Sequence, residues 1–169
     1  MTLKSNASPK ETSSPFYMKN EQLCKQWESY ASHKNGTVKG IFNASSFHLL
    51  AKIETSSLWE IQVKKATYSS GNLLLSSKYQ NLQEILTFKT KIPSSTCGNF
   101  KICKSVFKRK SQKHPLYQMV YDLCAEDLEK RRLYQAEFNK KVLTFTYHHC
   151  NDDFDLVEKV LNLGLNSED

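Results

Sequence analysis

Residues 58–92, LWEIQVKKATYSSGNLLLSSKYQNLQEILTFKTKI, constrain the fold more than any other part of the chain. Trp59, Ile61 and Val63 alternate with Glu60, Gln62 and Lys64, the period-two pattern of a half-buried strand. After Lys64-Lys65 the apolar phase moves to Ala66 and Tyr68. A strand can absorb such a switch by a bulge, a sharp twist or a change of burial. Ser69-Ser70-Gly71-Asn72 reads as a hairpin turn, with Leu73, Leu75 and Tyr79 sharing one face beyond it. Leu86, Phe88, Thr90 and Ile92 then give a third strand, ended by Pro93.

The rest of the chain reads as material that packs against these strands. Residues 1–14 are polar and lack aromatics, and they are expected to form a disordered tail preceding a single domain over 15–169. Ser14-Pro15 is a helix start, and Leu23, Trp27, Tyr30 and Ala31 recur on one helical face. Asn35-Gly36 supplies the left-handed stop, so a helix is expected over about 15–34. Two short strands follow, over 37–43 and 47–53, and another begins at Phe100.

Pro115 opens a second helix with an apolar stripe through Leu116, Tyr117, Val120, Tyr121, Cys124 and Leu128. The stripe weakens through Leu133, Tyr134 and Phe138, where the helix is expected to continue with a bend or break near Lys130. Residues 142–147 form a strand by their β-branched and aromatic content, and Asp152-Asp153 start a last helix. Helices before and after a run of hairpin-linked strands imply an α+β fold. Its sheet would be mostly antiparallel, of about six to seven strands, with the helices on one face.

Charge is divided along the chain. Its net of +7 resolves into +3 for residues 1–57, +9 for 58–114 and −5 for 115–169. Either the acidic helical half docks on the basic β half and partly neutralises it, or the basic half faces an acidic partner. The five Cys form no C-x-x-C pair and no disulfide framework, and Cys24 and Cys124 sit on apolar helical faces as small hydrophobes. With no apolar leader and no run of 18 apolar residues, neither a signal peptide nor a membrane partner is expected, and a cytoplasmic location is.

Three candidate chemistries follow. The densest basic run offers Lys101, Lys104, Lys108, Arg109, Lys110 and Lys113 beside Phe100 and Phe107. Clustered cations with aromatic faces suit a polyanion, and single-stranded nucleic acid in particular; a solvated loop is the plainer alternative. The run His148-His149-Cys150-Asn151-Asp152-Asp153 holds every common metal-ligand type. If the strand continues through 149, however, its two His point to opposite faces. Cys150 beside His149 is a conceivable thiol dyad. Walker A, G-x-G-x-x-G, H-E-x-x-H and G-x-S-x-G motifs are all absent, and no cofactor is expected. Trp27 and Trp59 lie on core faces rather than in a ligand site. The expectation is a non-catalytic binding domain whose partner, an acidic protein or a nucleic acid, contacts the basic β half. An enzyme built around residues 148–153 ranks behind both.

Overall fold

In the computed structural model, which describes residues 3–67, 82–104 and 114–165, the alternation in the central stretch is realised as the middle of an eight-stranded sheet. The strands are β1 (Leu3–Ser5), β2 (Thr37–Phe42), β3 (Phe47–Glu54), β4 (Leu58–Thr67), β5 (Leu82–Lys91), β6 (Phe100–Ile102), β7 (Leu133–Asn139) and β8 (Val142–His148). The helices are α1 (Pro15–His33), α2 (Pro115–Glu129) and α3 (Phe154–Leu161). The spatial order is β1-β2-β3-β4-β5-β8-β7-β6, and every pair is antiparallel except β1 with β2. The α+β class with helices on one face is as expected, with eight strands rather than six to seven. Both edges are three-residue strands, too short to template pairing with another chain.

One face of the sheet is the core. Leu49, Ala51 and Ile53 of β3, Trp59, Ile61 and Val63 of β4, Leu86 and Phe88 of β5, and Leu143, Phe145 and Tyr147 of β8 are all inaccessible to solvent. Trp59 packs edge-on to Phe88 at 6.5 Å, and Phe88 edge-on to Tyr147 at 5.9 Å, an aromatic row across three strands. Helix α1 covers this face with Cys24, Trp27 and Ala31, and α3 with Val157, Val160 and Leu161. Each helix is capped locally: Ser14 Oγ accepts from the Phe16 amide at 3.2 Å, His114 Nδ1 from Leu116 at 3.1 Å, and an Asp153 oxygen from Leu156 at 3.0 Å.

Asn151, buried in the turn between β8 and α3, ties the layers together. Its carbonyl accepts from Trp27 Nε1 at 2.8 Å, and its side-chain amide donates to the Lys64 carbonyl at 3.2 Å. No bulge accompanies the phase switch after Lys64, because β4 keeps register with β5 through Thr67. Lys65 points inward, its Nζ 3.3 Å from Asn20 Oδ1 and 4.0 Å from Glu84. The turn and strand expected at 69–79 lie outside the described residues.

Two expectations are corrected. The N-terminal segment read as disordered contributes β1, with Leu3 buried and paired in register with Gly40. Residues 133–139 are a strand rather than a continuation of α2. The helix stops because Arg131 takes a left-handed conformation (φ 58°), and its amide and that of Arg132 close back on the Leu128 and Asp127 carbonyls. Asn35 (φ 56°) ends α1 in the same way, as its sequence implies.

The β7–β8 hairpin has a two-residue turn in which Lys140 and Lys141 both have positive φ, where Asn-Gly is the usual occupant. Relieving that position should stabilise the fold. Lys140→Gly keeps the backbone bond to Asn99 Oδ1 and is expected to gain about 0.5–1 kcal/mol in urea denaturation. Asn151→Ala removes the side-chain tie to β4 and is expected to cost about 1–3 kcal/mol in the same assay.

Candidate functional site

Because the helices cover one face only, the alternate side chains of every strand point the other way. On this second face stand Lys4, Lys39, Lys52, Lys64, Lys89, Lys91 and Lys101, all exposed, against Glu54, Glu60 and Glu137. Lys52 lies 3.9 Å from Glu60, and the His48 and Gln62 side chains meet at 2.6 Å. Exposed Ile41 and Leu58 add apolar area among the charges.

The acids of the helical half do not reach these lysines. Glu158 binds Lys34 at 2.6 Å and Tyr30 Oη at 2.6 Å; Glu126 binds Lys130; Asp127 and Asp153 both bind Arg132. Among the described residues, the ion pairs of α2 and α3 are therefore made with α1 and with the α2–β7 connection. Internal neutralisation of the basic β half by the acidic helices is not what the contacts describe.

At the β6 end of the sheet the outward face deepens into a hollow of about 440 Å³. Lys101 and Lys104, two of the residues singled out in the sequence, line it with Arg131, Tyr134, Gln135 and His148 over a floor of Leu128 and Leu133. Phe107, Lys108, Arg109, Lys110 and Lys113 lie outside the described residues. Phe100 is buried, stacked on Phe138 at 5.7 Å and edge-on to Tyr117 at 5.1 Å, so its ring is not open to a base. Sequence reading missed Arg131 and Tyr134, which stand inside a segment taken for helix. The signal available was the Arg131-Arg132 pair followed by the alternation of Ala136 and Phe138.

The residues of 148–153 are engaged structurally. Strand β8 ends at His148; His149 turns into a left-handed conformation (φ 55°), and the two imidazoles sit 6.3 Å apart. Cys150 is buried, its thiol donating to the His148 carbonyl at 3.0 Å and accepting from Arg132 Nε at 3.3 Å. Burial raises its pKa, opposed in part by Arg132, which leaves a protonated thiol rather than a nucleophile. Burial likewise pushes Cys24 and Cys124 up to about 12. Asp153 is spent on the α3 cap and on Arg132. Among the described residues no three His, Cys, Asp or Glu side chains gather as they would around a metal ion.

No family model, curated protein or solved structure matches the chain. Among the described residues no helix is long and apolar enough to cross a membrane.

Glu158 gives the helical layer a pH dependence of known sign. Hydrogen bonds from Lys34 and then Tyr30 hold its pKa below the ordinary value. The associated stability is therefore present above the unfolded-state pKa and lost as pH falls through the lowered folded one. Because the side chain is 36% exposed, solvent screening limits the contribution to about 1 kcal/mol or less. Glu158→Gln is expected to flatten this part of the acid limb in a series of urea melts, and an unchanged limb would exclude the assignment.

Proposed function

We propose that this chain is a non-catalytic binding domain that engages an acidic protein partner on the open face of its sheet. The observation carrying this reading is the one-sided helix layer: it leaves seven Lys against three Glu pointing to solvent, while Asp127, Asp153 and Glu158 of the helical half are paired elsewhere. Excess charge of one sign on one face raises the association rate and selects partners of the other sign. The half-buried Leu50 and Ile85, with exposed Ile41, supply apolar contact between the lysines, the mixed composition of non-obligate interfaces.

The nucleic-acid reading keeps the exposed Lys101 and Lys104 but loses the Phe100 ring as a stacking platform. Across β1 to β5, a lysine-rich face with its aromatic rings turned inward suits carboxylates better than bases.

The test is charge reversal. Lys39→Glu, Lys64→Glu and Lys89→Glu combined should weaken binding to poly-glutamate, followed by fluorescence anisotropy at low salt, on the order of tenfold or more. The salt dependence of the remaining affinity should fall with it. Equal affinity for the parent and the triple variant would exclude the face.

A further inference from the structure

We infer that the hollow at the β6 end is a binding site for a nucleoside phosphate, taken either as the free nucleotide or as one unit of a single strand. The hollow adjoins the open face and shares Lys101 with it, but it takes a different ligand and does not depend on that reading.

Two chain segments bring cations to it: Lys101 and Lys104 from β6 and the residues just beyond it, and Arg131 from the α2–β7 connection. None of the three takes part in the ion pairs among the described residues. No carboxylate lines the hollow; Glu137, opposite Lys101 in register, is the acid of that strand. Three cations lining one hollow, with Glu137 beside Lys101 as the nearest strand acid but no ion pair formed, suit an anion.

The backbone is arranged at a cost to put two of these groups there. Arg131 occupies the left-handed position that closes α2, where Gly is the unstrained residue. In the β7–β8 ladder Leu133 pairs with Tyr147 and Gln135 with Thr146, so Tyr134 is the extra residue of a β-bulge. The bulge turns the Tyr134 ring outward, 58% exposed, and His148 supports it edge-on at 5.3 Å. Strain and bulges of this kind gather at ligand sites, where they aim particular side chains.

The parts match one ligand chemistry. The cations take the phosphate, the supported Tyr134 face stacks a base, and the Gln135 amide can donate to and accept from its edge. A hollow of about 440 Å³ lies within the range of small-ligand sites.

The full chain would be titrated at low salt with ATP, with a fluorescein-labelled ten-residue oligo(dT), and with inorganic triphosphate as a bare-charge probe. Tighter binding of ATP than of triphosphate supports a free nucleotide; tight binding of the oligonucleotide supports the strand. Tyr134→Ala should lower the affinity for the favoured ligand by about 5- to 100-fold and leave triphosphate unaffected. Arg131→Gly should weaken binding while raising the melting temperature, an opposition that a purely structural Arg131 would not produce. At about 0.15 M salt, where the Debye length is about 8 Å, the Lys39, Lys64 and Lys89 reversals should leave this binding within about twofold, which separates the site from the rest of the sheet face. No binding of either nucleoside ligand would overturn the assignment. So would triphosphate binding as tightly as both with Tyr134→Ala silent, or loss of binding in the sheet-face triple variant.

Discussion

An antiparallel sheet has two faces, and this chain has helices enough to cover one. That constraint governs the molecule. The inward residues of β3, β4, β5 and β8 are mostly apolar because α1 and α3 lie over them; the outward residues are mostly polar, with Leu50, Leu58 and Ile85 set among Lys, Glu, Thr and Gln, because no helix of the described chain covers them. The cover is held in place by more than apolar contact. Trp27 fills the space between helix and sheet and hydrogen-bonds the backbone of Asn151, which in turn holds β4. A buried residue joining three elements leaves little freedom for α1 to slide. The direction in which every strand lysine points follows from that fixed layer.

Where one residue type does the folding work by itself, the sequence is readable. Alternation marks β3 and β4, Ser14-Pro15 and Pro115 mark helix starts, and Asn35 marks a helix stop because Asn tolerates the left-handed region. Strand β7 was hidden for three concrete reasons. The stop before it is Arg131, whose side chain advertises nothing about positive φ; the bulge at Tyr134 shifts the alternation by one residue; and the hairpin after it turns on Lys140-Lys141 instead of Asn-Gly. Strand β1 was hidden because three residues carry no periodicity, and Leu3–Ser5 becomes a strand only through pairing with β2. Of the candidate site, the lysines were legible as composition. Their common direction, and the convergence of Lys101 and Lys104 with Arg131, are tertiary facts.

The left-handed positions share a pattern. Among the described residues five non-glycine residues have positive φ, and no glycine does. A chain with only five glycines places Asn, Arg, two Lys and His where Gly would cost less. At Lys140-Lys141 part of the strain is offset locally, since the Lys141 ammonium binds the Ser95 carbonyl and its carbonyl accepts from the Ile92 amide at 2.8 Å. At Arg131 the compensation is the helix cap itself, since the Arg131 and Arg132 amides close on the Leu128 and Asp127 carbonyls, while the guanidinium is left to line the hollow.

The division of charge along the sequence becomes a division in space. Arg132 gathers Asp127 and Asp153, and Lys34 takes Glu158, so these acids are paired within the helical layer. The field of each pair is short-ranged, and salt screens it further over a Debye length of about 8 Å. On the open face Lys52–Glu60 is an ion pair linking neighbouring strands. The potential outside the sheet is therefore set by the sheet's own excess of lysine.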